Sequence, residues 1–148
     1  MKSKREFQLS KNVLKNFKGL KMITRRLEDI LGTEREVKSE TWESRRLVSK
    51  DDGMGHSFHD TIIKAGTETP LWYKNHFESV YCIEGEGTVE VKETGKVHEI
   101  KAGTVYILNQ NDQHILRAKS QMRMICAFTP PLRGDEVHDK DGSYPLLD

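Results

Sequence analysis

The sequence predicts an all-β protein: a jelly-roll barrel preceded by a short helix and followed by an ordered tail. Two observations predict it. Short runs rich in Val, Ile, Tyr, Phe and Thr recur between residues 44 and 128, and Gly-, Asp- and Asn-bearing turn signals separate them roughly every 8 to 12 residues. Closing such strands into a barrel hides their edges and leaves an interior able to hold a small ligand.

The elements follow in order. Ile23, Leu27, Ile30 and Leu31 have helical spacing, and Gly32 ends that helix after about two turns. Strands are expected at 44–49, 57–64, 71–74, 78–84, 88–92, 97–100, 104–108, 113–118 and 122–128. Turns are signalled by Asp51-Asp52-Gly53, Gly85-Glu86-Gly87, Glu93 to Lys96, Lys101-Ala102-Gly103 and Asn109 to Asp112. Pro130-Pro131 ends the last strand, since proline has no N–H for a ladder. The tail from Leu132 to Asp148 is polar and is expected to lie over the body as an ordered flap.

At 148 residues the chain is one domain's worth. Lys plus Arg is 24 against 23 Asp plus Glu, a net charge of +1, which argues against a strongly charged partner surface such as nucleic acid. The longest apolar run is Met124 to Phe128, too short to span a membrane. Cys82 and Cys126 sit in strand-like segments, and with no export signal they read as reduced thiols of a cytoplasmic protein. Residues 1–21 are a basic extension, with Lys2, Lys4, Arg5, Lys11, Lys15, Lys18 and Lys21 against Glu6 alone; residues 22–148 form the single domain. The extension reads as a disordered arm outside the fold or as sequence ahead of a start at Met22. A basic nucleic-acid arm is the weakest of its readings.

Chemistry concentrates in two segments. In GTETPLWYKNHFESVYCIEGEG, Gly66, Glu78 and Gly85 have the spacing of the first cupin motif, but Trp72 and Lys74 occupy its two histidine positions. In GTVYILNQNDQH, Gly103 opens a second motif whose metal-binding histidine is His114. With two of four ligands, a metal needs a replacement. A hairpin turning about Gln110 places Tyr106 opposite His114, with Cβ atoms roughly 5 Å apart, and alternation puts Tyr106 on one face with Thr104 and Leu108. Glu78, Tyr106 and His114 then converge as an O, O, N set suited to iron, manganese or zinc; equally, Tyr106 and His114 are ordinary core residues.

Other residues carry two readings as well. Trp42 and Arg46 share a face, and Arg46 either clamps a carboxylate or forms a surface ion pair. His59, Thr61 and Ile63 share a strand face, as do Met124, Cys126 and Phe128, where core packing is the default. Glu136 and His138 point the same way if the tail is extended.

DDGMGHSFHDT, YKNHFESVYCIEGEG, GTVYILNQNDQH and FTPPLRGDEVHDKDGSYPLLD complete the pattern. From Met22 to Asp148 the chain closely resembles the ectoine synthase family, cupin enzymes that make the compatible solute ectoine under osmotic stress. The resemblance implies iron(II) ligands at Glu78, Tyr106 and His114. It implies a substrate pocket at Trp42, Arg46, Thr61, Tyr73, His76, Cys126, Phe128, Pro130, Glu136 and His138, with Tyr73, Glu136 and His138 as proton-transfer candidates. The implied reaction is ring closure of N-γ-acetyl-L-2,4-diaminobutyrate with loss of water, in a homodimer; the tail that carries Glu136 and His138 is read as a lid. Trp72 departs from the family pattern; alternation points it away from Tyr73 and assigns it to packing. Two rivals share the barrel: a non-catalytic cupin that senses a small zwitterion, and an oxygen-using iron enzyme.

Overall fold

The computed structural model describes residues 22–146; the reading of residues 1–21 lies outside them. One helical turn, α1 (Leu27–Ile30), leads into ten strands: β1 (Glu36–Lys38), β2 (Trp42–Val48), β3 (Ser57–Ile63), β4 (Glu68–Leu71), β5 (Phe77–Glu84), β6 (Glu86–Val91), β7 (Val97–Lys101), β8 (Val105–Leu108), β9 (His114–Ala118) and β10 (Met122–Thr129). They form two antiparallel sheets, a six-stranded one in the order β1-β2-β3-β10-β5-β8 and a four-stranded one in the order β4-β9-β6-β7. The fold is the all-β barrel that the turn spacing predicted.

Alternating burial explains the layering. Along β2 the inward residues are Trp42, Ser44 and Arg46; along β5, Glu78, Val80 and Cys82; along β10, Met122, Met124, Cys126 and Phe128. Their apolar members join Ile63, Leu71, Val89, Ile100 and Leu116 in one core between the sheets. The chain passes from the six-stranded to the four-stranded sheet at Gly85, whose φ is +86° and where a Cβ would run into the Gln121 carbonyl oxygen. Only glycine fits such a crossing. On the outer face Asp60 is 4% exposed and bridges Arg45 and Arg123, each at 2.6 Å.

Three expectations need correction, and one strand was not foreseen. The helix has one turn rather than two: Arg26 is extended, and Arg25 is tied to Asp52 at 2.6 Å, so only the turn burying Ile30 is free to coil. The strand expected at 71–74 lies at Glu68–Leu71, because Pro70 is tolerated on β4, an edge strand. The short β1, with one apolar residue, Val37, had no legible period. Tyr106 and His114 are not hairpin partners: β8 pairs with β5, whereas β9 pairs with β4 and β6. The connection crosses between sheets because Asn111, at φ 52°, is pinned to the segment before β5. Its amide donates to the Tyr73 carbonyl at 2.9 Å, and Trp72 Nε1 donates to the Asn111 carbonyl at 3.1 Å.

The tail is built into the fold. Leu132 is fully buried, and Ser143 and Tyr144 are 1% and 3% exposed, so this segment completes the core wall. Gly142, at φ +71°, lies so close to Pro70 that a Cβ would meet the Pro70 carbonyl oxygen.

Candidate active site

Between the sheets lies a cavity whose walls include Trp42, Ser44, His59, Thr61, Tyr73, Glu78, Tyr106, Cys126, Phe128, His138 and Tyr144. Eight of these positions were expected from the sequence. Ser44, His59 and Tyr144 were not assigned to the pocket. The strand-face grouping of His59 with Thr61 was the available signal for His59; nothing local marked Tyr144, which arrives from the tail and stacks on Tyr73 at 5.4 Å.

Glu78 on β5 and Tyr106 on β8 belong to neighbouring strands, and both line the cavity. His114 reaches the same region from the opposite sheet, its ring 6.5 Å from Tyr106 and 6.2 Å from Tyr73. Burial raises the Glu78 carboxyl to about 8, and no cation pairs with it among the described residues. Burial, then the nearby Glu78, pushes the Tyr106 phenol well above its ordinary value. His114 Nδ1 is 2.8 Å from the Asp112 carbonyl oxygen, which can only accept, so Nδ1 carries the proton. Nε2 is therefore a lone-pair donor, buried and without a partner among the described residues. A metal-ligating histidine has this arrangement, one nitrogen anchored to a carbonyl and the other offered inward. The residues fit a divalent cation: one carboxylate, one phenol oxygen and one imidazole nitrogen. Among the described residues no three His, Cys, Asp or Glu cluster as a metal site, so the fit depends on Tyr106.

Trp72 and Lys74, standing at the usual histidine positions, take no part: Trp72 holds the Asn111 loop, and Lys74 is exposed and lies over the Trp72 ring at 4.3 Å. Opposite the donor set, Tyr73 Oη and His138 Nε2 are 3.0 Å apart. Burial, then the Glu78 charge, holds the Tyr73 phenol well above its ordinary value, and burial together with Arg46 lowers His138 to about 4. The pair is thus a neutral phenol beside a neutral imidazole. His138 also packs 5.0 Å from Trp42 and 4.5 Å from Tyr144.

Arg46 stands just behind this wall, fully buried, donating Nη2 to the Glu136 carbonyl at 2.6 Å and Nε to Ser44 Oγ at 3.4 Å. No carboxylate lies within ion-pair distance of it among the described residues, so it is not the surface ion pair of the alternative reading. Glu136, His76 and Pro130 do not line the cavity themselves. Glu136 and His138 both lie on the inner side of the tail, with Val137 exposed between them, and the Glu136 carboxylate accepts from the backbone N–H of Arg133 and Gly134, both at 2.8 Å, so it braces the tail. The tail bends at Gly134, two residues before Glu136. His76 is buried behind the cavity wall, its ring edge-on to Phe128 at 6.1 Å and Tyr144 at 6.3 Å; with Pro130, Lys74 and Asn111 it also borders a surface depression, and Pro130 is exposed because the chain has left the barrel at Thr129.

A small-ligand barrel with a cation-ready O, O, N set and a buried phenol–imidazole pair defines an enzyme of the cupin class. The ectoine synthase family model matches residues 22–148. An L-ectoine synthase of Halalkalibacterium halodurans is 63% identical over 123 residues, covering 83% of this chain and 95% of its own. One of Oceanobacillus iheyensis is 64% identical over 126 residues, covering 85% and 98%. The crystal structure of ectoine synthase from P. lautus superposes with a TM-score of 0.78 at 56% identity, covering 85% of this chain and 91% of that one. An RmlC-like cupin from Shewanella frigidimarina, 18% identical with a TM-score of 0.54 over 64% of this chain and 81% of its own, shares the fold alone. The chain belongs to the ectoine synthase family, enzymes of the carbon–oxygen hydro-lyase class.

Proposed function

We propose that the chain closes N-γ-acetyl-L-2,4-diaminobutyrate into ectoine with loss of water, using ferrous iron held by Glu78, Tyr106 and His114. The observation that carries this reading is the single cavity shared by Glu78, Tyr106 and the Tyr73–His138 pair, with the free His114 nitrogen beside it.

In the reaction the α-amine nitrogen bonds to the acetamide carbonyl carbon. The C–O bond then breaks, and the oxygen leaves as water with two hydrogens that the two nitrogens give up. Bound iron supplies Lewis acidity toward the carbonyl oxygen, worth several kcal/mol to a poor electrophile. The protein's own task is to fold one molecule onto itself; such intramolecular positioning is worth on the order of 7–11 kcal/mol at most. Arg46, a buried guanidinium with no ion-pair partner among the described residues, receives the carboxylate, and Trp42, further along the same strand, walls the cavity beside His138. Tyr73 and His138 exchange protons across their 3.0 Å contact. Low basicity keeps His138 from holding a proton at neutral pH, so the pair passes one on rather than storing it. Phe128, Leu71 and Leu116 keep water off a step that expels it. Glu136 acts by position, holding the tail turn through two N–H groups.

A homodimer suits the outer face of β5 and β8, where Phe77, Tyr81, Val105 and Ile107 are 45–62% exposed along an open sheet edge. A cytoplasmic setting suits Cys82 and Cys126, both free and buried. The test combines protein, ferrous iron and N-γ-acetyl-L-2,4-diaminobutyrate without oxygen, with detection by mass spectrometry. A product lighter by one water is expected. No product, or one that forms only with oxygen consumption, overturns the reading.

A further inference from the structure

Four buried side-chain nitrogens lack a hydrogen-bond partner among the described residues: Arg46 Nη1, His59 Nε2, His76 Nδ1 and His114 Nε2. The last suits a cation. The first two stand together, and His59 has no role in the steps above. Arg46 and His59 are direct cross-strand partners on β2 and β3, 0% and 1% exposed. His59 lines the cavity, whereas Arg46 lies one layer back, bonded to the lining residue Ser44 and 5.6 Å from the ring of Tyr144.

Ser44 joins the two. Arg46 Nε donates to Ser44 Oγ, and that oxygen is 3.2 Å from His59 Nδ1. Arginine only donates, and the Ser44 hydroxyl has one proton to give; the acceptor within reach is His59 Nδ1. The His59 proton then resides on Nε2, the unbonded atom of a cavity-lining ring. Burial, with the Arg46 charge beside it, holds this imidazole well below its ordinary value, so the ring stays neutral and keeps that single N–H. The result is one neutral donor and one cationic donor on paired residues of adjacent strands, each with a nitrogen left without a hydrogen-bond partner among the described residues. A buried guanidinium without a counter-charge is costly unless a ligand supplies one, and two adjacent N–H donors match the two oxygens of a carboxylate.

We propose that His59 Nε2–H binds the carboxylate of the amino-acid-derived substrate, making the seat two-armed, with Arg46 as one arm and His59 as the other. This rests on the reading that such a substrate occupies the cavity. Ser44 is a positioning residue that sets the His59 tautomer.

Steady-state kinetics test it with two substrates, N-γ-acetyl-L-2,4-diaminobutyrate and the same skeleton without its carboxylate, N-acetyl-1,3-diaminopropane. His59→Leu is expected to lower kcat/KM for the acid by about 10- to 100-fold, mostly through KM, the loss of one hydrogen bond to a charged group. The same change leaves the carboxylate-free substrate within a few-fold. His59→Gln, whose amide N–H falls near Nε2, recovers most of the loss. Equal effects on both substrates, or none, overturn the proposal. If His59→Leu melts early, His59→Gln is compared with His59→Asn, whose amide stops one bond short. Selective loss of the acid in Asn supports the proposal, and parity overturns it. A wild-type enzyme that treats both substrates alike overturns instead the reading of a carboxylate substrate.

Discussion

Tyr106 and His114 show how much a single side chain decides in this site. In the proposed metal site Glu78 and His114 alone would hold a cation weakly; the Tyr106 phenol oxygen would complete the set, and the Asp112 carbonyl fixes the His114 tautomer that leaves Nε2 its lone pair. Glu78→Ala and His114→Ala should therefore lose most bound metal after iron loading, read by metal analysis of the purified protein. Unchanged content in both variants defeats the ligand assignment. Tyr73 is the second decisive position. Tyr73→Phe keeps the ring stacked on Tyr144 and removes only the hydroxyl that meets His138. Turnover should fall by about 10²- to 10⁴-fold, the usual contribution of a positioned proton-transfer group, while melting temperature moves by a few degrees at most. A kcat within a few-fold of wild type excludes Tyr73 from proton transfer.

Strands and tail bear the loads that make those positions reproducible. Asp60 on β3 accepts from Arg45 on β2 and Arg123 on β10, riveting three neighbouring strands. Burial alone would raise its pKa, but the hydrogen bonds from Arg123 and Arg45 outweigh that and hold it below the usual carboxylate range. A depressed folded pKa means stability that is fully present above the unfolded value, near 3.9, and is lost as pH falls through the folded one. Asp60→Asn should cost about 3 kcal/mol at neutral pH, because it takes the shared charge from two guanidinium groups and leaves Arg123 only Glu84 at 3.6 Å and Arg45 only the residue 60 carbonyl, and should flatten the acid limb of the stability profile. Urea melts from pH 7 down to pH 3 measure both; an unchanged acid limb removes Asp60 as its source. For the tail, Gly142→Ala puts a methyl against the Pro70 carbonyl and should lift Ser143 and Tyr144 from the core. Proteolysis should then clip the C-terminus quickly and turnover should collapse while the barrel stays folded. Resistance to proteolysis equal to wild type means that the tail does not need this close approach.

Assembled, the barrel is an open pair of sheets whose six-stranded member ends in β8, a four-residue edge strand with exposed Val105 and Ile107. Ile107→Lys places a charge at the centre of that face and should convert a dimer into a monomer by light scattering; a dimer that persists places the interface elsewhere. At this level it also becomes clear why the all-β class and most of the cavity residues could be read beforehand. Alternation with period two follows from backbone geometry, so Thr61 could be grouped with His59, and Cys126 with Phe128, on shared strand faces, whereas Glu78 came from motif spacing and their place in the pocket from the family resemblance. Spacing alone leaves Tyr106 and His114 equally well read as metal ligands or as core residues, and it is the family resemblance of the motifs that implies the metal. What local pattern could not carry was any pairing across distance. Tyr106 meets His114 through opposite sheets rather than a hairpin, because the Asn111 loop is fastened to residues 73 and 76. Tyr144 enters the cavity, Glu136 turns its carboxylate onto its own tail and Pro130 ends outside, since each depends on where the tail packs. Chain chemistry thus named the strands, their inward faces and the donor types. Only three-dimensional closure chose which donors meet, because those contacts join segments dozens of residues apart whose free energy appears when the core they share is buried.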